Sequence, residues 1–251
     1  MNHFSSLLAS TIPSESASAQ QKSYVTYTLA SLSPKDQVVP TITLLESRNL
    51  VAAAGTTGLR TWEAALHLGN YLCANENIVR SRSVLDLGAG TGYVSVLCAK
   101  LGALHVLSTD GSEDVVSSLD TNFYLNGLQD ASFVKAKELK WGQAFLGTEH
   151  PDWNEGRKVD LVLGADVTYD GSGILPLLAT FDDLFDLNPE VEIILAATVR
   201  NPATFESFLQ TCARGKFSVE QIEFSIEPPD SQDGPFLTND VPIQICNITR
   251  L

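Results

Sequence analysis

The residues best placed to do chemistry lie in Val84-Leu-Asp-Leu-Gly-Ala-Gly-Thr-Gly92, an apolar run that passes into a glycine-rich turn and then a helical pattern. Glycines at 88, 90 and 92 let a turn adopt φ > 0 and remove side chains that would bar a ligand from the backbone. The helix start just beyond adds N–H donors for a carboxylate or phosphate. A dinucleotide fingerprint needs G-x-G-x-x-G, but here the third position is Tyr93 and the glycine comes one residue early. Asp86, on the strand before the turn, suits the ammonium of an amino-acid ligand better than a pyrophosphate. Asp110 stands twenty positions after Gly90, where an acidic residue can accept two ribose hydroxyls. Read by packing alone, the glycines form a tight turn and Asp110 caps the next helix.

These residues need a framework, and from Ser83 onward short β-branched runs alternate with segments of helical period, as in a sheet with crossover helices. The pattern predicts strands at Val84 to Leu87, Leu104 to Thr109, around Phe133 and Val134, at Val159 to Gly164 and at Val191 to Thr198. Val94, Leu97, Cys98 and Leu101 share one helical face, which Gly102 ends. Ser112 is the expected N-cap of a helix running to about Asn126-Gly127. Further helices are expected near 172–187 and 202–214, and an amphipathic one from about Thr61 through Trp62, Ala65, Leu66 and Leu72. Two extended segments, 217–226 and 241–250, joined by a polar, Pro-rich stretch, predict an antiparallel pair at one sheet edge. Residues 1 to about 40 read as a partly irregular arm.

Across 251 residues, 44% are apolar and 18% charged, which suits one large globular domain. Thirty Asp and Glu against sixteen Lys and Arg give a net charge of −14, which argues against nucleic acid as a partner and favours a basic or neutral one. No apolar run approaches the length of a membrane span, and the first 23 residues lack the basic start of a secretory leader. Four cysteines without CxxC spacing point to a reducing, cytoplasmic setting. His3, His67, His105 and His150 show no metal-ligand spacing, so no metal is expected.

The D-x-G-x-G-x-G run resembles the first motif of seven-strand methyltransferases. Three further segments extend the likeness: Gly55-Thr-Thr-Gly-Leu-Arg-Thr-Trp-Glu-Ala-Ala65, Leu139-Lys-Trp-Gly142 and Gly164-Ala-Asp-Val-Thr-Tyr169. Together they resemble the non-SET, seven-strand protein lysine methyltransferases, whose marker is D-x-x-Y, over about residues 50 to 250. The GTTGLRTWEAA stretch and Thr198-Val-Arg-Asn201 look most like the branch acting on elongation factor 2. The resemblance implies a Rossmann-like α/β fold: a mostly parallel seven-stranded sheet with helices on both faces, in a domain spanning 46–251 after an arm at 1–45.

It also implies S-adenosylmethionine as cofactor and a protein substrate, elongation factor 2, modified by a monomer. Trp62, Asp86, Gly88, Ala89, Gly90, Asp110, Trp141 and Ala165 would bind the cofactor, with Trp141 near the adenine and Ala165 small enough for close approach. Asp166 and Tyr169 would receive the lysine, the carboxylate holding the amine and the aromatic face guiding it. Core packing for the two tryptophans, and a helix cap with a rim tyrosine for the D-x-x-Y pair, are the alternatives. A small-molecule methyltransferase and a non-catalytic binding module are the rival functions, since a fold does not choose its acceptor.

Overall fold

The run Ser83–Leu87 (β3) is buried at every residue, as a strand covered on both faces must be. The computed structural model describes residues 21–32, 39–47, 57–129, 132–143, 153–235, 237–238 and 240–251. Around β3 lie parallel strands His105–Asp110 (β4), Val134–Glu138 (β5), Leu161–Ala165 (β6) and Glu192–Thr198 (β7). The sheet is completed by Phe217–Ile222 (β8) and Ile243–Arg250 (β9), in the order β5-β4-β3-β6-β7-β9-β8. The last strand slots between β7 and β8 and runs antiparallel to both, so the expected edge pair is present with β8 outermost.

Helices Glu63–Ala74 (α1), Tyr93–Lys100 (α2) and Glu113–Leu125 (α3) cover one face, and Gly171–Leu187 (α4) and Pro202–Arg214 (α5) the other. Alternation along the strands feeds two cores: Val84, Val106, Leu161 and Ile194 point to the first three helices, while Leu85, Leu107, Val162 and Ile193 point to α4 and α5. The predicted helix stops hold, Gly102 (φ +86) following α2 and Gly127 (φ +71) following α3. Ser112 occupies the N-cap of α3 without a side-chain cap bond; Asp110 Oδ1 instead accepts from Ser112 N at 3.1 Å.

The described part of the arm is not irregular throughout. Ser23–Thr28 (β1) and Thr41–Glu46 (β2) pair antiparallel, and Ile42 and Leu44 enter the first core. The free edge of β2 is satisfied by a helix. Asn126 accepts from Thr43 N at 3.1 Å and donates to Thr43 O at 2.7 Å, and Asn122 accepts from Leu45 N at 2.8 Å. Two strand residues advance about 6.6 Å and four helix residues about 6 Å, so an i,i+4 asparagine pair can serve consecutive outward amides of a strand.

Candidate active site

The parallel order reverses between β3 and its two neighbours β4 and β6, and open α/β sheets bind ligands beyond the strand ends at such a point. A cavity of about 550 Å³ opens there. Its floor is the turn after β3, in which Gly88, Gly90 and Gly92 all have positive φ. The glycines are required in different ways. A methyl on Gly92 would come within 2.7 Å of Leu119, whereas one on Gly90 would meet Gly58 at an ordinary 3.5 Å, so there it is the positive φ of +54 that favours glycine. Ala89 N donates to Thr109 O at 2.8 Å, pinning the turn to β4.

Asp86 lines the cavity at 1% exposure, and its Oδ2 accepts from Ser95 at 2.5 Å, Ser95 in turn accepting from Ser108 at 2.5 Å. Burial above all, then the charge of Asp110, pushes its carboxyl up to about 7 against the opposing Ser95 bond. Asp110 ends β4 with both oxygens turned to the loop: Oδ2 accepts from Gly90 N at 3.2 Å and Oδ1 from Ser112 N. Burial raises its pKa, and the Ser112, Gly90 and Gly111 amides oppose the rise. Each oxygen of a carboxylate has a second lone-pair direction, so these bonds leave acceptor capacity for a ligand.

Trp141 supplies one wall, a methyl on Gly88 lying only 3.4 Å from its ring, and Ala165 ends β6 on the opposite side of β3. Trp62, the N-cap of α1, donates Nε1–H to Thr57 O at 2.9 Å. Two guanidiniums lie over its ring, Arg60 at 4.4 Å and Arg200 at 4.9 Å from the centroid, each a favourable cation–π contact. Glu63 binds both cations, Arg60 at 2.9 Å and Arg200 at 2.8 Å.

Asp166 follows β6 with φ +55 and is 7% exposed. Its peptide N–H donates to Ala196 O at 2.8 Å, and its carboxylate turns to the end of β7. Oδ1 accepts from Thr198 N at 2.8 Å; Oδ2 accepts from Thr198 Oγ1 at 3.0 Å and from both terminal nitrogens of Arg200 at 3.2 Å. Burial raises the Asp166 pKa, opposed by the Thr198 amide, the Arg200 charge and the Thr198 hydroxyl. Tyr169 sits at the cavity mouth, 57% exposed, its oxygen accepting from Thr57 Oγ1 at 3.4 Å.

All ten residues expected at the site line this one cavity. Arg60 and Arg200 line it too, and Glu63 pairs with both. Arg60, Glu63 and Arg200 lie inside the stretches singled out by resemblance, and only an alternating charge spacing in Arg60 and Glu63 hints at their pairing. Glu46 was not foreseen: buried at the end of β2, it accepts from Thr61 Oγ1 at 2.7 Å, Thr61 N at 3.2 Å and Tyr27 OH at 2.9 Å. Thr61 also meets the Thr91 hydroxyl at 2.6 Å, so the ribbon reaches the glycine turn. Gly55 and Thr56 of the GTTG segment, with His3 and His150, lie outside the described residues.

Residues 48–214 match the family described as lysine methyltransferase. The chain belongs to that family. Protein-lysine N-methyltransferase EFM3 of Chaetomium thermophilum is 53% identical over the whole of this chain and 74% of its own length. Protein-lysine N-methyltransferase EEF2KMT of Homo sapiens is 30% identical over 76% of this chain, which spans 58% of that relative. Among solved structures, a ribosomal protein L11 methylase from Lactobacillus delbrueckii subsp. bulgaricus aligns with TM-score 0.50 and 20% identity over 74% of this chain and 77% of its own, a likeness of fold.

Family membership makes S-adenosylmethionine the cofactor. The cavity fits it on its own evidence: the volume suits a ligand of that size, and the turn of positive-φ glycines at its floor keeps side chains out of the way. Two acids of different placement, Asp86 and Asp110, match an ammonium and a ribose diol.

Proposed function

We propose that this lysine methyltransferase transfers a methyl group from S-adenosylmethionine to a lysine of elongation factor 2, the substrate that its sequence resemblance implies. The observation that carries the reading is the continuity of the cavity, which joins the glycine turn and Asp110 at one end to Asp166 and Tyr169 at the other. In this reading Asp86 pairs with the ammonium of the cofactor, the side-chain-poor backbone of Gly88, Ala89 and Gly90 lies against its amino-acid part, and Asp110 accepts from the ribose. Trp141 stacks near the adenine, while Trp62 and the small Ala165 close the sides.

Once bound, S-adenosylmethionine would supply a methyl on a sulfonium sulfur; attack of an amine on that carbon in line forms the N–C bond, breaks the C–S bond and releases a neutral thioether, and needs no metal. The protein must therefore present a neutral amine. A free lysine has a pKa near ~10.4, so fewer than about one in a thousand is neutral at pH 7. The largely apolar cavity disfavours the ammonium by desolvation. Asp166 Oδ1, which takes one hydrogen bond from Thr198, accepts a second from the amine and directs its lone pair inward. Tyr169 at the mouth guides the aliphatic stem.

Incubation with tritiated S-adenosylmethionine and purified elongation factor 2, followed by peptide mass spectrometry, tests substrate and chemistry together. Label on one lysine, absent with Asp86→Ala, is expected. Label only on another protein of a cell extract discards elongation factor 2 and keeps the enzyme.

A further inference from the structure

The acceptor end of the cavity carries an electrostatic arrangement that the methyl-transfer scheme above leaves unused. Arg200 is held from three sides: both terminal nitrogens on Asp166 Oδ2, one of them also on Glu63 Oε2, and its plane over Trp62. A guanidinium whose two terminal nitrogens share one carboxylate oxygen, and which also meets a second acid and an indole face, is costly to displace. Asp166 is almost wholly buried, so without a cation beside it its full charge would act on any group brought into the mouth.

We propose that Arg200 is a positioning residue for methyl transfer, which cancels the charge of Asp166 and so makes that carboxylate an acceptor for a neutral lysine amine and not a counter-ion for the ammonium. The proposal rests on the lysine methyltransferase reading of the site. A bare carboxylate within reach of the amine would stabilise its protonated, unreactive form. With Arg200 in place, Oδ2 is consumed by Thr198 and the guanidinium, and only Oδ1 retains capacity toward the amine.

Other charged groups facing this end support the same balance. Arg60, which also lies against the Trp62 ring, lines the cavity, and Glu63 is shared between the two cations. Asp86, Asp110 and Lys140 line the cofactor end, beyond the turn, and Tyr169 is the titratable group at the mouth. On the elements that bound the acceptor end, two cations thus face Asp166 and Glu63, and the local sum is near zero, where an ammonium gains least. Arg200 keeps 39% of its side chain exposed, so solvent moderates the effect.

The test is the pH dependence of kcat for the full chain with S-adenosylmethionine and elongation factor 2, comparing wild type, Arg200→Gln and Arg200→Lys. Arg200→Gln is expected to move the rising limb to higher pH by roughly half a unit or more, to lower turnover several-fold near pH 7, and to regain it at alkaline pH. Arg200→Lys, which keeps the charge but loses some of the guanidinium's contacts, should hold the midpoint clearly closer to wild type than Arg200→Gln does, and calorimetry should show that both variants still bind cofactor. An Arg200→Gln enzyme that loses the same fraction at every pH, or a lysine variant shifted as far as the glutamine one, overturns the proposal. A wild-type chain that labels no lysine at any pH removes the functional reading and the proposal with it.

Discussion

Asn122 donates its side-chain amide to the carbonyl of Thr91 at 2.8 Å. The same side chain accepts from Leu45 N, so one buried residue of α3 ties the glycine turn to the β1–β2 ribbon. Asn122→Ala would strand a buried carbonyl and a strand N–H, each costing about 1–3 kcal/mol when unmade. The variant should unfold at lower denaturant concentration and bind S-adenosylmethionine several-fold more weakly, whereas Asn126→Ala should reproduce the first effect with little of the second. Chemical denaturation and calorimetric titration read the two separately.

Asp86 makes cofactor binding and stability pull in opposite directions with pH. Its carboxyl is raised to about 7, chiefly by burial, from an ordinary value near ~3.9. Without cofactor the folded state therefore holds this proton more tightly than the unfolded chain. Its contribution to stability is whole below about pH 4 and is lost as pH rises through about 7. Cofactor affinity should run the other way and climb over that rise, because only the carboxylate pairs with an ammonium. Asp86→Asn should flatten this affinity trend and weaken binding at pH 8 by about tenfold or more. A set of calorimetric titrations from acid to alkaline pH decides it.

The motif-borne half of the site could be read from the sequence because Asp86, Gly88, Ala89 and Gly90 are contiguous and Asp110 ends the next strand, so local periodicity alone brings them together. The central strands were legible for the same reason, β3, β4, β6 and β7 being mostly apolar runs bounded by helical patterns, whereas the edge strand β5 is largely polar and only Phe133 and Val134 mark it. The position of β9 inside β8 was not legible, since both readings of the tail give the same hydrophobic pattern and only pairing with β7 tells them apart. The ribbon was missed although Tyr24 to Thr28 and Thr41 to Leu45 have strand composition, because its outer edge is completed by asparagines 77 and 83 positions away. Likewise Trp62, Glu63 and Asp166 come from a helix start and a strand end far apart in the chain, and no spacing announces that they converge on Arg200.

Trp141 packs beside Gly88 with its ring toward Gly173, which leaves the indole as cavity wall and not deep core. Trp141→Ala should weaken S-adenosylmethionine binding by roughly tenfold through lost stacking while lowering the melting temperature only modestly. Trp141→Phe should recover most of the affinity. A Trp141→Ala protein with wild-type affinity would move the adenine elsewhere.

Tyr169 is exposed, and the hydrogen bond it takes from Thr57 is a long one at 3.4 Å, so its ring matters more than its hydroxyl. Tyr169→Phe is expected to stay near wild type, and Tyr169→Ala to raise KM for the protein substrate about tenfold with cofactor affinity unchanged. Steady-state kinetics with varied elongation factor 2 give both numbers.

Asp166 is where cavity, acceptor and charge balance meet, so the account stands on what its carboxylate does. The decisive measurement is a single-turnover transfer of labelled methyl from preloaded enzyme to elongation factor 2, with wild type and Asp166→Asn at equal cofactor occupancy. The account predicts label on one lysine with wild type and a rate at least about 100-fold lower with Asp166→Asn, while both variants bind the cofactor equally. Transfer at an unchanged rate by Asp166→Asn would contradict it.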